Sequence, residues 1–269
     1  MVNYKCGVVI SARDEEEVIG ECLESLIHQT VRPFIVVVND GSVDRTSEIA
    51  SMSADVVEDL PRHEESWAGK PELARIFNTG FNVLKGEKTD YVMISGADAM
   101  YSANYIEDII QKMSVDNVVI ASGIAHGESV TDSSPRGCGR IIQAGWFRKV
   151  GFRYPENYGF EAYIIFKALS QGVGVKIYRD LEYVLSRETR FSNKKMYSWG
   201  KGMKALNYWW LYALGRSVLL GLRHPPGGYN LLKGYYSDVS LYDDVKEFVP
   251  NYQRKIIFRR IKNVLLGEK

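Results

Sequence analysis

The run Val36-Val37-Val38-Asn39-Asp40-Gly41-Ser42-Val43-Asp44-Arg45-Thr46 reads as a buried strand that ends at an acid and turns at once into a helix. The apolar part, Phe34–Val38, is continuous and β-branched, as expected where both faces of a strand are covered. Gly41 supplies the tight turn, and Ser42 or Asp44 can cap the helix that follows. Capping accounts for Ser42 and Asp44. It accounts less well for Asp40, which stands before the turn, at the end of the strand where ligands bind in open α/β sheets.

The pattern around this run repeats. Val8–Ile10 is a candidate strand, followed by a helix with Val18, Ile19, Cys22, Leu23, Leu26 and Ile27 on one face. Helix Asp44–Met52, a short strand near Val56, helix Pro71–Leu84, strand Tyr91–Ile94, helix Asn104–Met113 and strand Val118–Ala121 continue the alternation. Residues 123–160 are rich in Gly, Ser and aromatics and predict loops and short strands. Helix Phe160–Ser170 and strand Val173–Ile177 follow. Such alternation predicts a parallel sheet with helices on both faces. The segments just after three strands, Ser11–Glu15, Asn39–Ser42 and Gly96–Asp98, each carry an acid, and two carry Gly.

Composition bounds the class. The chain has 269 residues, 45% apolar and 25% charged, which excludes a disordered or collagen-like protein and suffices for a sizeable core. Three scattered cysteines (Cys6, Cys22, Cys138) fit neither a disulfide framework nor a zinc cluster and read as reduced thiols of a cytoplasmic chain. Met1–Lys5 runs straight into a short apolar stretch and then acids, so no signal peptide is expected, and no 18-residue uncharged apolar stretch exists. The net charge of +1 conceals a division: residues 194–269 hold 14 Lys/Arg and 5 Asp/Glu, leaving −8 on the rest. An acidic body argues against nucleic acid as partner.

Three ordered segments resemble family 2 of the inverting glycosyltransferases with the GT-A fold. Val36–Thr46 is similar to that family's V-V-D-D-G-S-x-D-x-T signature. Val9-Ile10-Ser11-Ala12-Arg13-Asp14-Glu15-Glu16 resembles its I-I-P-A-R-N-E-E, and Cys22–Thr30 its C-L-x-S-L-x-x-Q-T. The resemblance covers about residues 6–190 and not the tail. It implies an α/β fold of the GT-A type, a mostly parallel mixed sheet flanked by helices, as a catalytic domain over residues 1–192, with a C-terminal helical tail over 193–269. It also implies a nucleotide-sugar donor. By position, Ala12, Arg13 and Glu15 would line the base and ribose pocket and Asp40 would hold the base. A carboxylate accepts equally from the imide N–H of uracil or the N1–H and amine of guanine. Glu15 and Glu16 also suit a helix N-terminus, where acids oppose the dipole.

Gly69-Lys70-Pro71 opens a segment resembling the family's G-K-x-x-A-x-N-x-G helix start, which implies that Lys70 faces the donor diphosphate. A solvated lysine is the plain alternative. Tyr91–Ala99 falls where the family has its D-x-D motif for Mn²⁺ or Mg²⁺. Here Gly96 takes the first acidic position and Asp98 the second, so the resemblance implies a divalent cation on Asp98 with weak or water-rich coordination. Tyr158–Gly172 resembles the element that carries the general base. Glu161 matches that base, while Ala162 takes the place of a second acid. Many relatives have a metal-ligating His after the next strand; Leu185–Arg190 has none, and Arg187 or Arg190 would pair with the diphosphate instead. The four histidines (28, 63, 126, 224) lack metal-ligand spacing and read as exposed or core residues.

The tail is different material. Trp209, Trp210 and Tyr212 stand beside Leu211 and Leu214, Pro225–Gly228 reads as a break, and Gln253–Leu266 reads as a basic amphipathic helix. Together they point to peripheral contact with the inner face of a membrane, the other reading being a helical cap on the catalytic domain. The expected activity is metal-assisted single displacement from GDP-mannose or a UDP-sugar to a glycan or lipid-linked acceptor. The rivals are a catalytically degenerate sugar-nucleotide-binding or scaffold protein, kept open by Gly96 and Ala162, and a nucleotidyltransferase. The latter needs a Gly-rich loop after the first strand, and Ser11–Glu16 contains no Gly.

Overall fold

The computed structural model describes residues 4–65, 67–128, 134–187 and 192–266. These fall into two compact units, one of residues 4–65, 74–128, 134–154 and 172–187, the other of 67–73, 155–171 and 192–266.

Among the described residues the first unit is one eight-stranded sheet with helices packed on it. Its parallel part is β1 (Cys6–Ala12) flanked by β2 (Phe34–Asn39) and β4 (Tyr91–Gly96), with β3 (Val56–Asp59) beyond β2. The other half is mixed. β7 (Arg140–Gln143) runs antiparallel to β4 and to β6 (Val118–Ala125), β8 (Gly174–Leu185) is parallel to β6, and β5 (Ala99–Tyr101) is antiparallel to β8 at the edge. The mostly parallel mixed sheet expected from sequence is therefore present. β1 and β2 are buried almost throughout, which is why their sequences are continuous apolar runs rather than alternating ones.

The helices follow the apolar period. Helix α1 (Ile19–Ile27) buries Ile19, Cys22, Leu23 and Leu26; α3 (Leu73–Lys85) buries Phe77, Gly80, Phe81 and Leu84. Helix α2 (Thr46–Ser51) is shorter than the sequence predicts, and α4 (Tyr105–Asp116) runs to Asn117, whose left-handed conformation (φ 51°) ends it. The Gly- and aromatic-rich middle contains β7 and a short helix, α5 (Ala144–Lys149). Phe147, Phe152 and Tyr154 from this region meet Phe81 edge-on, and Asn78 accepts from the Tyr154 N–H (2.7 Å) and donates to its carbonyl (2.9 Å).

The second unit is helical: α6 (Phe160–Ser170), α7 (Asn193–Ala205), α8 (Trp210–Arg223), α9 (Pro225–Tyr235) and α10 (Phe248–Leu266). The expected break falls at His224, between α8 and α9; the Pro225-Pro226 pair starts α9, where the missing N–H groups cost nothing, and the His224 side chain accepts from the Gly227 N–H (2.9 Å). Helix α10 begins five residues before the expected Gln253, and the side chains of Arg260, Ile261 and residues 264–266 lie outside the described ones. No described helix is long and apolar enough to cross a membrane.

Candidate active site at the strand tips

Parallel register sets the site. Ser11 pairs with Val38 on one side and Gly96 on the other, so the residues that leave β1, β2 and β4 emerge at the same edge of the sheet. The Ala12 carbonyl accepts from the Asp40 N–H (2.8 Å), which fixes where the Asp40 side chain starts.

Asp40 is nearly buried, its side chain 6% exposed. Arg13 Nη1 donates to its Oδ2 (3.2 Å), and His63 Nε2 lies 2.8 and 2.9 Å from its two oxygens. Arg13 Nη2 also donates to the His63 carbonyl (2.6 Å). A carboxylate accepts about four hydrogen bonds, so these partners leave Asp40 capacity for a ligand donor. Of the four histidines, His63 is the one hydrogen-bonded to a predicted site residue. His28 and His126 are exposed, each beside a glutamate, and His224 caps a helix, whereas His63 sits against Asp40. It follows β3, and the signal was available: the logic that selects the tips of β1, β2 and β4 selects the tip of β3 as well.

The loop after β1 is held by the signature segment. Asp14 takes the left-handed conformation (φ 53°), unusual for a residue with a side chain. Its N–H donates to Ser42 Oγ (2.8 Å), and its carboxylate accepts from the Val43 N–H (2.9 Å) and from Arg62. The Arg62 bonds, the largest influence, hold the Asp14 pKa below the ordinary value. The Glu15 N–H donates to Thr46 Oγ1 (2.7 Å) and the Glu16 N–H to Asp44 Oδ2 (3.1 Å). So Ser42 does not cap α2, as expected, but serves the neighbouring loop. Asp44 does both, its other oxygen accepting from the Thr46 N–H (3.0 Å). Gly41 is required twice over, by its φ of +65° and by Arg62, whose Cα would stand 2.4 Å from any Cβ placed there.

On the other side of β1, Arg187 at the end of β8 joins two further predicted residues. Its guanidinium donates to the Glu15 carboxylate, and its Nε lies 3.9 Å from Asp98 Oδ2. The Ser186 N–H donates to the Asp98 carbonyl (2.9 Å), tying the two segments together. Burial raises the Glu15 pKa above the ordinary value, with Arg187 opposing it. Arg190 lies outside the described residues.

At the first D-x-D position a Cβ on Gly96 would stand 2.9 Å from Asp98 Oδ1 and 3.9 Å from Cys138 Sγ, and the Gly96 backbone is hydrogen-bonded to two thiols. The Gly96 N–H donates to Cys138 Sγ (3.4 Å), and the Cys22 thiol donates to the Gly96 carbonyl (3.4 Å). Burial pushes the Cys22 pKa up to about 12, so it is an inert thiol and no hard-metal ligand. Among the described residues no group of three or more His, Cys, Asp or Glu is placed to hold a metal. The partly exposed Asp98 carboxylate does suit Mg²⁺ or Mn²⁺, which take one or two carboxylates together with substrate phosphates and water.

Lys70 and Glu161 belong to the second unit. Lys70 lies in the turn before α3, its N–H donating to the Trp67 carbonyl (2.9 Å) and its carbonyl accepting from Leu73 (3.2 Å). Glu161 stands in the first turn of α6, which starts at Gly159 (φ +75°) against the backbone of Gly202 in α7. Ala162 packs on a cluster of Ala205, Leu206, Tyr242, Val245 and Val249, so the position of the missing second acid is a packing position here.

An open α/β sheet that gathers charged residues at the carboxyl tips of parallel strands is the class of fold that binds nucleotides there. The chain belongs to glycosyl transferase family 2, whose model matches residues 7–170, more than half of its length. It is 32% identical over 124 residues to the glycosyltransferase GlyA of Streptococcus pneumoniae, which is 46% of this chain and 17% of that protein. It is 42% identical over 70 residues to the 4,4'-diaponeurosporenoate glycosyltransferase of Staphylococcus aureus, 25% of this chain and 19% of that one. The chain thus matches less than a fifth of either relative. Among solved structures it resembles the mannosyltransferase PcManGT of Pyrobaculum calidifontis in complex with GDP-Man and Mn²⁺, with a TM-score of 0.60 at 16% identity over 86% of this chain and 69% of that one. It also resembles S. aureus TarS in complex with UDP-GlcNAc, with a TM-score of 0.55 at 17% identity over 85% and 79% of the two chains. The fold is accordingly that of the GT-A glycosyltransferases.

Proposed function

We propose that the protein is an inverting glycosyltransferase that moves a sugar from a nucleotide-sugar donor, GDP-mannose or a UDP-sugar, to a hydroxyl of a glycan or lipid-linked acceptor. The observation that carries the reading is the convergence of Arg13, Asp40, Glu15, Asp98 and Arg187 on neighbouring strand tips in a family 2 fold. Asp40 accepts the base N–H, with Arg13 and His63 orienting its carboxylate; Ala12 and Glu15 border the nucleoside. Arg187 binds the diphosphate by bidentate hydrogen bonds, and Lys70 adds a second cation. Asp98 holds a divalent cation, which neutralises the departing nucleoside diphosphate. Glu161 removes the acceptor proton while the acceptor oxygen attacks opposite the leaving group. The tail, residues 193–269, brings this unit to the inner face of a membrane.

A thermal-shift series with GDP, UDP, GDP-mannose and UDP-sugars tests the reading, because a ligand that binds only the folded state raises Tm. One nucleotide is expected to stabilise in preference to the other. Glu161→Gln is expected to keep that shift while transfer falls about a hundredfold or more, the scale of general-base loss. Stabilisation without nucleoside diphosphate release in the unsubstituted protein points to a binding protein instead. No shift with any nucleotide overturns the assignment.

A further inference from the structure

Helices α7, α8 and α9 approach one another closely at small residues, beside a cluster of Met203, Ala213, Leu220, Leu231 and Tyr235. A Cβ on Gly228 of α9 would stand 2.5 Å from the Ser217 carbonyl and 2.6 Å from Cα of Gly221 in α8. A Cβ on Gly200 of α7 would stand 2.1 Å from the Leu231 carbonyl and 2.8 Å from Cα of Gly234 in α9. The inward side of α8 presents Ala213 and Ser217, both buried.

Apart from Leu220, which packs inward, the large aliphatic side chains of α8 point the other way. Leu211, Leu214, Val218 and Leu222 recur at intervals of three, four and four, which places them along one line of the helix. They are 42, 37, 52 and 78% exposed, with Leu219 beside them at 68%. Trp210, 54% exposed, stands at the start of the stripe. Water-soluble helices bury such a stripe and expose the polar face. Small residues at helix contacts with aliphatic residues outside is the pattern of helices whose surroundings are apolar. At 14 residues α8 is about 21 Å long, short of the bilayer core, so it suits the plane of the interface and not a span.

Charge selects the occupant. Residues 193–235 contain seven Lys/Arg and no Asp/Glu. Arg216 and Arg223 border the stripe on α8, and exposed Tyr229 in α9 and Tyr236 just after it flank Lys233. We infer that α8 lies flat on an anionic lipid surface, its aliphatic stripe sunk among the acyl chains and the bases of α7–α9 among the headgroups. This assigns the contact to α8 rather than to the basic C-terminal helix. It rests on the membrane-surface reading of the tail and is independent of the donor assignment.

Flotation of the full chain tests it, with vesicles of phosphatidylcholine alone or mixed with phosphatidylglycerol. The unsubstituted protein is expected to float only with the anionic vesicles. The triple variant Leu214→Ser, Val218→Ser, Leu222→Ser removes exposed side chains and is expected to keep its Tm while its bound fraction falls about tenfold or more. If that variant floats unchanged while Lys255→Glu with Arg259→Glu releases the protein, α10 carries the contact: the assignment to α8 is wrong and the membrane reading survives. If the unsubstituted chain floats with neither vesicle, both fall. If light scattering shows a dimer that the triple variant dissociates without changing flotation, a second copy covers the stripe and the inference is overturned.

Discussion

Asp40 gathers charge-assisted hydrogen bonds from two side chains that reach it from different loops, Arg13 after β1 and His63 after β3. Asp40→Asn keeps the size and removes the charge. Hydrogen bonds to charged groups are worth about 1.5–3 kcal/mol, so the variant is expected to bind its nucleotide about tenfold or more weakly by calorimetry. An unchanged Kd would mean that the carboxylate serves only the two loops. Asp14 supplies a pH test. Its folded pKa is lowered by Arg62, so its contribution to stability is present above the unfolded carboxylate pKa. That contribution is lost as pH falls through the lowered folded value. Urea midpoints measured downward from neutral pH are expected to fall less steeply below the ordinary aspartate pKa in Asp14→Asn than in the unsubstituted chain. Equal slopes would assign the acid sensitivity to other groups. At this scale the sequence is informative wherever a residue follows a strong strand: Arg13, Glu15, Asp40 and Asp98 all stand where that rule puts them. It is silent on partnerships across long separations. Arg187 and Glu15 are 172 positions apart, and nothing local in either segment names the other.

Among elements, legibility tracks length and burial. β1, β2 and β4 declare themselves as apolar runs because both faces are covered, and α1 and α3 because the core selects a 3.6-residue period. β5 and β7 are three and four residues long, too short for a pattern, and antiparallel pairing supplied by β4, β6 and β8 makes them strands. The break expected at Pro225–Gly228 falls one residue earlier, at His224: proline ends a helix from within but begins one readily, so α8 stops at Arg223 and α9 starts at Pro225, with Gly228 letting α9 approach α8 closely. The turn between β2 and α2 is where element and site meet. Gly41→Ala places a side chain in a left-handed conformation, which costs about 1–2 kcal/mol, and adds a collision with the Arg62 backbone. Because Arg62 also binds Asp14, the variant is expected to lower Tm by several degrees and to weaken nucleotide binding together. Lower stability with unchanged affinity would separate the turn from the pocket.

At the scale of the molecule, the acidic body and basic tail face opposite demands. On the proposed reading the body holds a diphosphate near the carboxylates of Asp98 and Glu15; Arg187 bonds to Glu15 and lies 3.9 Å from Asp98. One carboxylate beside a guanidinium is a poor cation site in isolation, so a divalent ion is expected to bind mainly when the nucleotide's phosphates complete its shell. The two ligands should then be coupled, each raising the affinity for the other by the same factor. Mn²⁺ alone is expected to leave Tm almost unchanged, and nucleoside diphosphate alone to raise it modestly. Both together should exceed the sum, since saturation near a hundred times Kd stabilises by about 2.7 kcal/mol. EDTA should remove the excess and lower transfer about tenfold or more, with Asp98→Asn reproducing its effect. Additive shifts, with transfer in EDTA equal to transfer in Mn²⁺, would assign charge neutralisation to Arg187 alone. In that case Gly96 and the thiols beside it mark a site that has exchanged its metal for a guanidinium.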